Sequence, residues 1–332
     1  MRSLVLIFAL VLIRFGSAVG AESADNSPKP DASTDRASPG KRVAVTYTKN
    51  GAKVVSGVPA AAAVAASKAK RTSNAAGNGP DIKSSAAMVF DVNAGRALYA
   101  KNIDRLSSIA SITKLMTAMV VIDAGLPLDE PIRIERADID TLKHTRSRLR
   151  IGSSFTRRDL LNLALMSSEN RAASALGRSY PGGLTAFVAK MNARAAELGM
   201  VKTRFVEPTG LSSRNVSTAE ELALLVRASL DYALIREFTT TRSAQVYTTN
   251  TKRAHGFGNS NGLVSSSAWR INVSKTGYIS ESGLCLVMHA RITDRPVIIV
   301  LLNSWGKYTR IGDANRIKKW MERGMASLAH VN

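Results

Sequence analysis

Ser111 and Lys114 stand three residues apart in Ser107-Ser-Ile-Ala-Ser-Ile-Thr-Lys-Leu-Met-Thr-Ala-Met119. A serine hydroxyl attacks a carbonyl only with a base beside it, and a desolvated lysine that has lost its proton can be that base. Ile112, Leu115, Met116, Met119, Val120 and Ile122 follow helical spacing and leave one face for a core. Gly125 and Pro127 then stop the helix. Ser111 is thereby placed in the first turn, with Lys114 on the same face. The helix N-terminus adds partial positive charge that favours a developing oxyanion. Ser-x-x-Lys alone decides nothing, because it occurs four times, starting at Ser38, Ser67, Ser111 and Ser304.

Two further stretches carry matching chemistry. Ser168-Glu-Asn170 lies between two helical runs, and Lys275-Thr-Gly277, which occurs once, ends a strand. Attack on an amide carbonyl needs a nucleophile, a base, an oxyanion hole and a proton donor to the leaving nitrogen. Ser111 supplies the nucleophile and Lys114 the base, which must be neutral to act. A second cation, Lys275, would depress its pKa. Ser168 can relay a proton to the leaving amine, and Asn170 can hold the substrate amide and contact Lys114. Lys275 and Thr276 suit a substrate carboxylate, and Gly277 lets a substrate backbone approach the strand edge. The backbone N–H groups of Ser111 and Tyr278 are candidates for the oxyanion hole.

The elements that must position these groups begin after a leader. Leu4 to Ile13 is a ten-residue apolar run behind Arg2, with small residues at Val19-Gly-Ala21. That predicts a signal peptide over residues 1–21, too short to span a bilayer comfortably. Residues 22–84 are rich in Ala, Ser, Lys, Pro and Gly and read as a basic, low-complexity, disordered linker. The catalytic domain is expected over residues 85–332. Ala86 to Val92 and Arg96 to Ala100 flank Asn93-Ala-Gly95 as a β-hairpin. Helices are expected at Arg158 to Leu165, Arg171 to Leu176, Leu184 to Leu198, and Ala219 to Leu230 with Thr218 as cap. Strands follow at Gln245 to Thr249, Arg270 to Ser274, Leu284 to Arg291 and Pro296 to Asn303, then a last helix from Ile311 to Leu328. The order predicts an α+β fold, an antiparallel sheet flanked by terminal helices with a helical subdomain inserted.

The net charge is +21, from 46 basic and 25 acidic residues. Attraction to a polyanion follows. The leader argues against nucleic acid, and no helix-turn-helix, zinc-finger or RNP pattern is present. Cell-wall polymers and, at most, peripheral contact with anionic membrane remain. Cys285, the only cysteine, sits in an apolar run and reads as core. The four histidines form no metal-binding pattern, and neither metal nor cofactor is expected. Gly258-Asn-Ser-Asn-Gly262 matches a hydrolase elbow in letters, but its Asn- and Gly-rich context predicts a turn.

Ser-x-x-Lys, Ser-x-Asn and Lys-Thr-Gly, in that order, resemble the motif set of penicillin-binding proteins. Ser108 to Thr117, Leu165 to Ala173, Phe205-Val-Glu-Pro-Thr-Gly-Leu-Ser212 and Lys275-Thr-Gly-Tyr-Ile279 extend the resemblance to the low-molecular-mass serine D-Ala-D-Ala peptidases. It implies a β-lactamase/DD-peptidase-like fold. It also implies export to the periplasm, an acyl-enzyme formed with peptidoglycan stem peptides, and acylation by β-lactams. Only 55 residues follow Gly277, too few for the further domain and anchor usual in the carboxypeptidases. The chain therefore more closely resembles the D-alanyl-D-alanine endopeptidases, which cut D-Ala-to-diaminopimelate cross-links. A carboxypeptidase removing terminal D-Ala and a non-catalytic basic wall-binding protein are the alternatives. The Glu-x-x-Leu-Asn string of class A β-lactamases is absent, so efficient β-lactam hydrolysis is not expected.

Overall fold

The computed structural model describes residues 79–329, with side chains through Gly324, and the backbone of a short antiparallel pair, Val45–Tyr47 with Lys53–Val55. The expected signal peptide and most of the expected linker lie outside the described residues.

A five-stranded antiparallel sheet organises the domain. Its strands are β1 (Ala86–Asp91), β2 (Arg96–Lys101), β3 (Arg270–Ile279), β4 (Gly283–Ile292) and β5 (Arg295–Ser304). Their spatial order is β3-β4-β5-β1-β2, so the two ends of the domain's sequence meet at the β5–β1 pairing. The central strands are nearly continuous apolar runs because both sheet faces are covered. The two-residue period divides them. Val89, Leu286, Met288, Ile299 and Leu301 face one core; Met88, Phe90, Val287, Ile298 and Val300 face the other.

Seven α-helices lie among the described residues: α1 (Thr113–Asp123), α2 (Arg157–Met166), α3 (Asn170–Arg178), α4 (Gly183–Glu197), α5 (Ala219–Ser229), α6 (Ala233–Thr240) and α7 (Thr309–Ala329). The first six pack on the Met88 side of the sheet. Among the described α-helices, only α7 packs on the other face, through Ala314, Ile317 and Met321, joined there by Ile82, Leu263 and Trp269.

α1 departs from expectation in one respect: Thr113 through Val121 are all buried, so it has no solvent face. Its polar members are buried with partners. Thr113 Oγ1 donates to Ala110 O at 2.8 Å, and Thr117 Oγ1 to Pro208 O at 2.7 Å. Thr218 caps α5 as expected, its hydroxyl accepting from Glu221 N at 3.2 Å.

The packed chain starts before Ser85. Ile82 and Ser84 are buried, and Asp313 of α7 accepts from Lys83 N at 3.0 Å, Ser84 N at 2.7 Å and Ser84 Oγ at 2.5 Å. No described helix is long and apolar enough to cross a membrane.

Candidate active site

Ser111 lies in a short 3-10 turn, Ala110–Ile112, that runs directly into α1. Ala110 is held at φ +46°, a left-handed conformation rare for a residue with a side chain. Two glycines make room for this turn. A Cβ on Gly210, itself at φ +81°, would lie 1.9 Å from Ala110 O; one on Gly277 would lie 2.9 Å from Ile109 O and 3.2 Å from Ser111 N. Beyond the expected approach of a substrate backbone at Gly277, the enzyme's own nucleophile turn already needs the space. The same approach brings strand β3, and Tyr278 next along it, beside the Ser111 amide.

One turn on, the Lys114 ammonium is fully buried. It donates to Ser111 Oγ at 2.8 Å, Asn170 Oδ1 at 2.8 Å and Thr209 O at 2.6 Å. Those three acceptors use all three protons of the charged form. Burial pulls its pKa down to about 8, although the carboxylates of Glu207, Glu169 and Asp140 oppose the shift.

Ser168 and Asn170 come from the tight connection between α2 and α3. Ser168 is left-handed at φ +63°, and Asn170 begins α3. Strain at these two serine-bearing turns costs about 1–3 kcal/mol each, a cost packing must offset. Across the cleft, buried Lys275 donates to Ser168 Oγ at 2.8 Å and Thr276 O at 3.0 Å. Burial first, then the charges of Lys114 and Arg310, hold Lys275 well below the usual lysine range. Burial is the main cause for both amines, and a charge on either one disfavours a charge on the other.

Thr276 Oγ1 donates to Ser260 Oγ at 2.8 Å, and Ser260 N to Met166 O at 2.9 Å. The Gly258–Gly262 stretch is therefore a turn from the end of a strand into a 3-10 helix beside the site and not a nucleophile elbow. A cavity of about 460 Å³ opens over these groups, lined by Ser111, Ser168, Asn170, Thr276, Gly277 and Tyr278 among others.

Several contributors were not singled out in the sequence. Glu207 accepts from Thr209 N (2.6 Å), Thr209 Oγ1 (2.5 Å), Gly210 N (2.7 Å) and Asn215 Nδ2 (3.0 Å), shaping the turn that delivers Thr209 O to Lys114. Its trace in sequence is the Phe205–Ser212 stretch, which carries part of the family resemblance without singling out Glu207. Arg310, at the start of α7, donates to Gly277 O at 3.0 Å and brings positive charge to the cavity. Lys143, which also lines the cavity, pairs with Glu281 in the β3–β4 turn.

A family model for D-alanyl-D-alanine carboxypeptidases matches residues 68–306. The chain belongs to this family. Over 247 residues it is 48% identical to a D-alanyl-D-alanine endopeptidase of Pseudomonas aeruginosa, covering 74% of this chain and 80% of that one. Identity to the D-alanyl-D-alanine endopeptidase of Escherichia coli is 47% over 245 residues, covering 74% and 79%. Among solved structures, a Streptomyces DD-transpeptidase matches with a TM-score of 0.67 at 30% identity, covering 73% of this chain and 97% of that one. This family member is thus a serine D-Ala-D-Ala peptidase with the α+β fold expected from its sequence.

Proposed function

We propose that this peptidase is an exported peptidoglycan endopeptidase that hydrolyses the D-Ala-to-diaminopimelate cross-link through a Ser111 acyl-enzyme. One observation carries the chemistry: the Lys114–Ser111 and Lys275–Ser168 hydrogen bonds, both 2.8 Å, flank a single cavity. The bond chosen rests on the similarity to enzymes named D-alanyl-D-alanine endopeptidases.

Neutral Lys114 has two N–H bonds, and Asn170 Oδ1 and Thr209 O accept them. Its lone pair is then aimed at the Ser111 hydroxyl. Ser111 Oγ bonds the D-Ala carbonyl carbon while its proton passes to Lys114 Nζ. The Ser111 and Tyr278 N–H groups stabilise the oxyanion. Collapse breaks the C–N bond, and the leaving amine takes its proton through Ser168, backed by Lys275. Water then hydrolyses the ester. Lys275 regains its charge most readily beside an anion, so it, Thr276 and Arg310 suit a substrate carboxylate. β-Lactams enter the same route and stop at the ester. No cofactor is needed.

Residues 1–21 act as signal peptide and residues 22–84 as a basic linker whose last residues, Ile82 to Ser84, pack onto the catalytic domain, placing the enzyme in the periplasm. The wall's carboxylates attract its strong positive charge. The test is incubation of the protein and Ser111→Ala with a cross-linked muropeptide dimer and a monomeric pentapeptide, read by mass spectrometry. Monomers released from the dimer only by the Ser111 enzyme are expected. Loss of terminal D-Ala from the pentapeptide with the dimer intact would make it a carboxypeptidase.

A further inference from the structure

Asn170 has two chemically opposite ends, and only one orientation suits the mechanism. Its Oδ1 accepts from Lys114 at 2.8 Å, and its Nδ2 donates to Thr145 Oγ1 at 2.9 Å. Thr145 belongs to the loop between the short strands Pro131–Arg133 and Ser154–Thr156. Its hydroxyl donates to Asp140 Oδ2 at 2.7 Å. A hydroxyl has one proton, so a threonine that gives it to a carboxylate can only accept from Asn170. The Asn170 amide is thereby obliged to turn its nitrogen to Thr145 and its oxygen to Lys114.

Asp140 is built for this service. It is buried, and its carboxylate accepts from the backbone N–H groups of Leu142 (2.8 Å), Lys143 (2.9 Å) and Thr145 (2.9 Å) as well as from the Thr145 hydroxyl. Burial alone would raise its pKa, but those donors outweigh burial and hold it below the usual carboxylate range. The acceptor of the Thr145 proton therefore stays ionised at neutral pH.

We propose that Thr145 and Asp140 are positioning residues for acylation: they fix which end of the Asn170 amide faces Lys114, and so keep the Lys114 lone pair for Ser111. The inference rests on the reading of Lys114 as the base. With the amide reversed, Nδ2 would donate to the Lys114 lone pair and compete with the Ser111 hydroxyl. Neither Thr145 nor Asp140 need touch the reacting bond.

The test uses the purified full chain and a fluorescent penicillin, with acylation rates followed from pH 6 to pH 10. Thr145→Val should lower the limiting acylation rate about tenfold or more, a part of what general-base catalysis supplies. The half-saturating penicillin concentration should change by less than about twofold. Thr145→Ser should restore the rate. Asp140→Asn should also slow acylation, and the Asp140→Asn, Thr145→Val double variant should be no slower than the worse single one, since both act through one amide.

The pH profile separates positioning from mere support. Lys114 is faced by the carboxylates of Glu207, Glu169 and Asp140 and by the Lys275 amine. Losing the Asn170 acceptor while these remain lowers the Lys114 pKa, so the acid limb moves to lower pH even as the plateau falls. A loop that simply opened would hydrate Lys114 and move the limb to higher pH. Wild-type rates in Thr145→Val, an equally slow Thr145→Ser, or a limb displaced upward would each overturn the inference. A wild-type protein without any adduct on Ser111 would overturn the underlying functional reading as well.

Discussion

The buried Lys114 amine can be followed through both rate and stability. Its pKa is drawn from 10.5 to about 8. At pH 7 about one tenth of the molecules then carry the neutral amine, against about 0.03% for an ordinary lysine. Burial thus enlarges the reactive fraction about 300-fold. Acylation of Ser111, measured by stopped flow with a fluorescent penicillin, should rise about tenfold per pH unit up to pH 8 and then level off. Stability carries the same shift. Below pH 8 both folded and unfolded states hold the proton, and the folded state bears a cost of about 3 kcal/mol. Between pH 8 and 10.5 only the unfolded state remains protonated, so stability rises; above 10.5 the cost is gone. Lys114→Met has no such group. Denaturant unfolding should therefore show wild type gaining on the variant by about 3 kcal/mol between pH 7 and pH 10.5. Lys275 is depressed partly by the Lys114 charge, so relief of that repulsion in the variant widens the gap. A flat rate profile between pH 6.5 and pH 9, or parallel stability curves, would refute the reasoning.

Three other substitutions probe the frame around this pair. Gly210→Ala puts a Cβ 1.9 Å from Ala110 O at φ +81°, and displacement of the nucleophile turn should cut acylation about a hundredfold in the same assay. Glu207→Gln sets an amide NH2 against N–H donors; chemical denaturation should show a loss of about 1.5–3 kcal/mol. Asp313→Asn weakens the anchor of Lys83 and Ser84 on α7 and should cost about 2–3 kcal/mol by the same measurement. Since donors hold Asp313 below its usual pKa despite burial, the wild-type protein should lose this contribution only as pH falls through the acid range.

Much of the architecture was legible because its signals are local. Asn93-Ala-Gly95 marked the first hairpin, and the apolar runs of β4 and β5 declared themselves as strands. The motif triplets could be read in order, and they meet at one cavity. Signals failed where a partner outside the segment decides its structure. Strand β3 continues to Ile279, beyond the expected Ser274, because its polar Lys275-Thr-Gly277 is paired to β4 and buried under the nucleophile turn. Residues 254–258 form a strand, although His255-Gly-Phe-Gly258 has weak β propensity, because Ser243–Tyr247 supplies a partner. Helix α6 has no counterpart among the elements expected from sequence. Glu207 and Thr145 look like ordinary loop residues in sequence; Glu207 matters because the turn it shapes carries Thr209 O to distant Lys114, and Thr145 because it meets Asn170.

The most direct test of the central claim is the mass of the protein after exposure to a penicillin. One equivalent of adduct is predicted, mapped by peptide analysis to the Ser111 peptide, absent in Ser111→Ala and formed far more slowly in Lys114→Gln. An adduct elsewhere, or one formed at the wild-type rate without Lys114, would contradict the account.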